Sequence, residues 1–179
     1  LASALQKQGI IGNEVALSGA QQLATFAKMP GTVDTLLPAM ENLLAQQKGV
    51  NATGEDAVNI GNLMGKVLMG QTGALKRVGI SFDENQEKVL KYGTEQERAA
   101  MLAEVITSNV GHMNQELAKT PAGQMKQLEN SLGDIKESLG AALAPVVADL
   151  AVFVSEKIVP MLEKLMGFLQ DHPILAKIA

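Results

Sequence analysis

Titratable side chains are the first candidates for chemistry, and this chain carries only two histidines, His112 and His172. His112 falls on the polar side of a predicted helix, where a solvated side chain is expected. His172 stands in "QDHPIL", where it closes a helix and favours the negative end of the helix dipole. Neither has the spacing of a metal site or a Ser/His/Asp triad. The sequence therefore predicts neither catalysis nor a metal or cofactor site.

The segment 70–86 contains the other residues that could bind a ligand. Its glycines, Gly70, Gly73 and Gly79, have the wrong spacing for a phosphate-binding loop, and no strand is predicted before them. Asp83 and Asn85 have the first spacing of a calcium loop, but no Gly or Glu follows at the required offsets. Asp83 is instead expected to cap the helix that follows, together with Gln86.

Composition predicts an all-α protein. The chain has 179 residues, of which 46% are hydrophobic but only 3% aromatic, and Ala, Leu, Met, Gln, Glu and Lys are abundant. These residues are good helix formers. The net charge of −4 argues against a nucleic-acid-binding face, and the absence of Cys excludes disulfides and thiolate chemistry. The chain starts at Leu1 inside a helical pattern, which indicates a fragment of a longer protein.

Capping and helix-breaking residues predict where the N-terminal helices lie. We expect a short turn ending at Gly9, a helix from an Asn13 cap to about Lys28, and a helix that starts at Thr35. This last start places Pro38 in the first turn, where proline is tolerated, and Gly49 ends the helix.

The next helices are predicted in the same way. Thr53 with Asp56, and Thr94 with Glu97, resemble capping boxes. The first opens a helix in which Gly61 and Gly65 indicate close packing of two helices. The second opens a helix that is expected to run to Thr120, with one apolar stripe: Leu102, Ile106, Val110, Met113 and Leu117.

The C-terminal segment has a second apolar stripe, with successive spacings of 3, 4, 3, 4, 4, 3, 4 and 3 residues. Such spacing predicts an amphipathic helix that seeks a partner helix, as in a coiled coil. We call these residues the seam. They are Met125, Leu128, Leu132, Ile135, Leu139, Leu143, Val146, Leu150 and Phe153.

The interval between Glu137 and Glu156 is 18 residues long, close to the minimum for a membrane span. Asp149 lies within it, and a carboxylate near the bilayer centre costs about 2.5–3.5 kcal/mol. The interval is rich in Ala and lacks aromatic or basic flanks. We therefore expect it to contact protein rather than lipid.

The predicted architecture is a helical bundle over residues 1–120, followed by a long amphipathic, coiled-coil-like helical segment over 121–179. Bends are expected near 140–145, because of Pro145, and near 160. The turn 79–82 should pack on the bundle, with Gly79 forming the turn and Phe82 inserted between the preceding helices.

Three stretches in this order resemble the tape measure protein of long-tailed bacteriophages and prophages. They are "ALQKQGIIGNEVALSGAQQLATF", "EDAVNIGNLMGKVLMGQTGALKRVGISFDENQ" and "KTPAGQMKQLENSLGDIKESLGAALAPVVADL". The resemblance covers roughly residues 5 to 155.

The resemblance implies a non-enzymatic segment of a long helical protein that sets tail length and scaffolds tail-tube assembly. It implies bundling with other copies of the chain, and contact with tail tube protein and tail assembly chaperones. The expected locations are the lumen of the virion tail and, during assembly, the host cytoplasm. The protein would leave the tube ahead of the DNA at infection, with transient contact with the host membrane and no sequence-specific binding of nucleic acid.

Two other classes of function remain open. A membrane-active helical protein, resembling pore-forming toxins, would use the interval 138–155, but the apolar segment after it carries Glu163 and Lys164. A peptidoglycan-cleaving fragment is disfavoured because the sequence has no acid/base constellation.

Overall fold

The computed structural model describes residues 1–171, and these residues form helices and turns without a β-strand. The all-α prediction is confirmed, as is a long helical segment after shorter helices. Short 3₁₀ helices occupy Gly49–Asn51 and Thr72–Val78, and a π-helical turn occupies Val154–Ile158. The α-helices are α1 (Ala2–Gln6), α2 (Asn13–Ala24), α3 (Thr32–Lys48), α4 (Gly54–Leu68), α5 (Glu84–Tyr92), α6 (Glu95–Val110), α7 (Met113–Ala118), α8 (Pro121–Phe153) and α9 (Val159–Asp171).

Residues 1–131 form one compact unit, and the described residues from Leu132 onward belong to a second. The first unit continues past the boundary that the sequence placed at Thr120. The reason is that the first turns of α8 bind the N-terminal segment. The amide of Gln127 donates to the Gly9 carbonyl over 3.2 Å, and the amide of Asn130 donates to the Ile10 carbonyl over 3.1 Å.

The core of the first unit forms where α2 and α4 meet, and small residues permit their close approach. A Cβ atom added to Gly61 would lie 2.6 Å from the backbone carbonyl oxygen of Gly19. One added to Gly19 would lie 2.7 Å from the Cε of Met40, and one added to Gly65 would overlap the ring of Phe26. Gly61 and Gly65 of α4 therefore serve close packing, as their spacing predicted, and Gly19 of α2 leaves room for Met40 in the core.

All three predicted capping boxes are present. Thr94 and Glu97 exchange hydrogen bonds of 2.7 and 3.3 Å at the start of α6. The pairs Thr53 with Asp56 and Asp83 with Gln86 do the same for α4 and α5. Each pair satisfies backbone donors that the first turn of a helix leaves free, so these starts are fixed by residues three apart in the sequence.

The predicted boundaries between α2 and α3 are wrong, and Glu95 explains why. The helix from Asn13 ends at Ala24 rather than near Lys28, and the next begins at Thr32 rather than Thr35. One carboxylate oxygen of Glu95 accepts from the amides of Lys28 and Met29, at 2.9 Å each, and from the Thr32 hydroxyl at 2.6 Å. The turn before α3 is thus held by a residue far along the chain.

Pro38 consequently lies inside α3 rather than in its first turn. Proline cannot donate the backbone hydrogen bond that this position requires, and its ring disturbs the preceding turn. Leu36 and Leu37 immediately before it are 0% and 3% exposed. Their burial offsets the local penalty, so tertiary packing overrides the expected helix start.

The single helix predicted from Thr94 to Thr120 is also wrong, because it is divided into α6 and α7. Gly111 has φ of +62°, a conformation that other residues rarely adopt, and it ends α6. His112 is therefore an exposed residue at the start of α7 and does not lie within a helix. The apolar pattern continued across this break because both helices turn the same kind of face toward the core.

We expect Gly61→Ala to lower the free energy of unfolding by about 1–3 kcal/mol, because the Gly19 carbonyl is backbone and cannot move aside without separating α2 from α4. Chemical denaturation of the full chain measures this change. Gly73→Ala is the matched control: a Cβ there meets nothing within 4 Å. Equal stability of the two variants would contradict the close-packing interpretation.

Glu95→Ala should cost about 2–3 kcal/mol of unfolding free energy, since three donors lose their acceptor. Glu104→Ala, at an exposed site on the same helix, should change it by less than about 0.5 kcal/mol. The Thr32 hydroxyl, followed by the two amides, lowers the pKa of Glu95 below 4.5. Its contribution is therefore present above pH 4.5 and is lost as the pH falls through the folded-state pKa. Denaturation at pH 7 and pH 3.5 tests both effects.

Candidate self-association surface

The start of α8 is set by Thr120 and Pro121. The Thr120 hydroxyl accepts from the Gly123 amide over 3.1 Å and donates to the Leu117 carbonyl over 2.7 Å. Proline suits the first helical position, where its missing N–H would have no partner. A Cβ atom on Gly123 would collide with the Leu117 carbonyl. The chain therefore turns tightly from α7 into α8, as the predicted boundary at Thr120 and Pro121 required.

The seam residues are all exposed. Each retains between 48% and 60% of its accessible surface, from Leu132 at the lower limit to Leu150 at the upper. Among the residues that the structure describes, the helix that carries them is uninterrupted from Pro121 to Phe153. The sequence predicted their shared face, and the partner helix that this face is expected to contact remains a prediction.

The two halves of α8 differ in what surrounds the seam. Up to Ser138 the other faces carry charged residues, including Lys126 and Glu129, which form an ion pair of 3.3 Å. Beyond Ser138, exposed apolar residues occupy other directions as well: Val152 is 52% exposed and lies half a turn from Leu143, nine residues earlier. The second half is thus apolar all round, which the prediction of an amphipathic segment did not anticipate.

The second half of α8 lies in a helix that is long enough and apolar enough to cross a membrane. The helix from Pro121 to Phe168 contains an 18-residue window with a mean hydropathy of 1.8, and none of that window is buried. Asp149 is the single charged residue between Glu137 and Glu156. A soluble helix that is apolar all round is normally covered on every side. Such a surface is typical of helices that are covered by protein or by lipid.

The irregular turn of the C-terminal segment lies ahead of Pro160. The Val159 amide donates to the Val154 carbonyl, five residues back, which makes the turn 154–158 π-helical. Proline at 160 cannot donate to Glu156, and a widened turn accommodates this missing bond. Around Pro145 the α-helix is unbroken. The bends that the sequence placed near 140–145 and 160 remain predictions, and the π-turn marks the second of these places.

The turn at 79–82 is formed by Gly79, and Ile80 is its most buried residue. Gly79 has φ of +85°, and its amide donates to the Lys76 carbonyl over 3.1 Å. The Ile80 amide donates to the Leu75 carbonyl, which completes a Schellman-type end to the 3₁₀ helix. Ile80 is 1% exposed, whereas Phe82 is only partly buried at the edge of the core. Ile80 therefore occupies the interior position, because it follows directly after the left-handed glycine.

A buried polar cluster centred on Asn114 was not recognised in the sequence. Its side-chain oxygen accepts from the amides of Ile10 and Ile11, at 2.7 and 3.0 Å, and its NH₂ group donates to Glu41 over 2.7 Å. The Asn114 amide donates to the side chain of Asn42 over 3.1 Å. Burial raises the pKa of Glu41 to about 8, although the hydrogen bond from Asn114 opposes this rise. No periodic signal could reveal a cluster whose members are about 70 to 100 residues apart.

Among the described residues, no group of three His, Cys, Asp or Glu side chains is placed to hold a metal ion. His112 is exposed, and His172 lies outside the described residues. Comparison of the chain with protein-family models, with curated proteins and with solved structures gives no match. The surface of α8 and the resemblance in the sequence are therefore the features that bear on function.

Proposed function

We propose that this chain is a non-enzymatic, structural segment of a phage tail tape measure protein, in which α8 joins copies of the chain through the seam. One observation carries the proposal: nine large apolar residues, each about half exposed, recur along one continuous helix at coiled-coil spacing. Together with the order of the three sequence stretches that resemble tape measure proteins, this favours a scaffold over a catalyst.

Removal of the seam from water would supply the free energy of association. Covering a large aliphatic side chain contributes about 1.5–3 kcal/mol when it is taken fully out of water. The seam residues are about half exposed already, so each would gain a part of that amount. Summed over the nine seam residues, this free energy favours association of copies. Monomeric proteins rarely leave an apolar patch of this extent exposed, and such patches are typical of interaction sites.

A helical scaffold also suits measurement of length. An α-helix rises 1.5 Å per residue, so the 33 residues of α8 span about 50 Å. Bundled copies would keep such helices straight, because each apolar face is covered by a neighbour. Tail tube protein and tail assembly chaperones are the further partners that the resemblance implies. The tail lumen, and the host cytoplasm during assembly, are the corresponding locations.

The variant Leu132→Asp with Ile135→Asp should dissociate the assembly, because it places two carboxylates in the apolar contact. Sedimentation of the full chain at several concentrations measures the mass. Gly133→Asp with Ser138→Asp is the matched control: it adds the same two charges at exposed positions off the seam. If the seam variant has the same mass as the parent, the seam has no role in association.

A membrane-active helical protein is the second candidate, and the apolar second half of α8 favours it. The observation is the unburied window of mean hydropathy 1.8, with Asp149 as the single charge between Glu137 and Glu156. In a bundle of copies, Asp149 would lie at the edge of the contact. In a bilayer it would oppose insertion by about 2.5–3.5 kcal/mol.

The membrane candidate predicts that the chain releases dye from lipid vesicles. Asp149→Asn should increase this release, because it removes the charge from the interval that would enter the bilayer. Glu137→Gln, before the apolar interval, is the control and should change release little. Absence of release by the parent and by Asp149→Asn, at every pH from 5 to 8, would remove this candidate while leaving self-association untouched.

A further inference from the structure

Glu41 is a carboxylic acid in the interior of the helical bundle. It lies on α3, is 1% exposed, and one of its side-chain oxygens, Oε1, has no hydrogen-bond partner in the described part of the chain. The other oxygen, Oε2, accepts from the NH₂ group of Asn114 on α7 over 2.7 Å. A buried ionised carboxylate with a single neutral donor is strongly unfavourable, whereas the protonated acid can remain there.

Asn114 connects Glu41 to the N-terminal segment. Asn114 is 0% exposed, and its side-chain oxygen accepts from both the Ile10 and the Ile11 amides. Its own backbone amide donates to Asn42, the residue after Glu41. A single amide side chain thus joins α3, α7 and residues 10–11.

The same N-terminal segment is also bound by the first turns of α8. Gln127 and Asn130, in the first turns of α8, donate to the carbonyls of Gly9 and Ile10. The backbone N–H of Ile10 therefore donates to Asn114, and its carbonyl accepts from Asn130 of α8. If residues 9–11 move away from Asn114, these contacts with α8 are lost as well.

We propose that Glu41 and Asn114 form a proton-dependent latch, closed while the Glu41 carboxyl is protonated, and that ionisation of Glu41 releases residues 9–11 from Asn114 and from the first turns of α8. The segment before α2 comprises the five-residue helix α1 and a connecting turn. So short a helix has few backbone hydrogen bonds of its own, and such an element can open locally while the rest of the unit stays folded. Its departure would let water reach the carboxylate.

Burial is the main cause of the raised pKa of Glu41, about 8, and the Asn114 hydrogen bond acts against it. Among the described residues no cation is paired with Glu41, so no ion pair favours its ionisation: Lys48 is paired with Asp56, Lys119 is paired with Glu116, and Glu95 binds the turn before α3. The other titratable groups on α3 and on the helices that contact it do not bond to Glu41. These are Glu14, Asp34, Glu55, Lys66, Glu97, Arg98 and Glu104.

The direction of the pH dependence follows from proton binding. The closed state keeps a proton on Glu41 up to about pH 8, whereas a hydrated carboxyl loses it near 4.5. Between these values the closed state binds more protons than the open state, so opening becomes easier as pH rises, by up to about tenfold per pH unit. Above the higher value the dependence levels off.

Amide hydrogen exchange of the full chain tests the latch. After correction for the intrinsic exchange rate, the opening equilibrium at the Ile10 and Ile11 amides should rise by at least about tenfold between pH 6 and pH 8. Glu41→Gln keeps an acceptor for Asn114 but cannot ionise, so its equilibrium should stay constant. Glu104→Gln removes an exposed carboxylate and should behave as the parent does. The amide of Met64, in the core helix α4, reports opening of the whole unit.

Three results would overturn the proposal. The first is an opening equilibrium at Ile10 that does not change with pH in the parent. The second is the same rise in Glu41→Gln as in the parent. The third is identical opening at Ile10 and Met64 at every pH, since Glu41 would then act on the whole fold rather than on the segment 9–11. If Glu41→Gln does not fold, Glu41→Met provides a second variant without a titratable group, and its opening should likewise be independent of pH.

Discussion

Apolar side chains must leave water for a fold to be stable, and residues 1–131 achieve this within the chain. There the leucines, isoleucines and methionines of α2, α3, α4 and α6 fill one core. Glycines such as Gly19 and Gly61 allow the helices around this core to lie close together. In α8 the same constraint is unmet, because the seam is half exposed throughout. The proposed functions, association of copies or contact with lipid, are two ways of meeting it.

Polar contacts in the first unit act at two ranges. Capping boxes such as Thr94 with Glu97 fix helix starts within a few residues. Glu95 and Asn114 satisfy backbone donors of segments about 60 to 100 residues away. The long-range contacts hold the irregular turns at 26–31 and 9–12, which have no regular hydrogen bonding of their own. The starts of the helices that carry a capping box are therefore set locally, whereas the turns at 26–31 and 9–12 are set by the assembled bundle.

The first turns of α8 belong to the bundle, whereas its remaining turns present the apolar surface. Gln127 and Asn130 face the N-terminal segment, and Leu132 begins the second unit. If ionisation of Glu41 releases residues 9–11, the polar contacts at the start of α8 depend on protonation as well.

From the sequence alone followed the all-α class, the three capped starts, the close helix packing at Gly61 and the seam periodicity, because these depend on residues no more than about four apart. Tertiary structure decided the rest. Thr32 rather than Thr35 begins α3 because Glu95 binds there, and α6 ends at Gly111, where α7 follows. Ile80 is buried beside Phe82 in the turn 79–82. The Glu41–Asn114 cluster likewise exists only once α3, α7 and residues 10–11 meet. Contacts between distant residues leave no period in a sequence, since their spacing is set by the path of the folded chain.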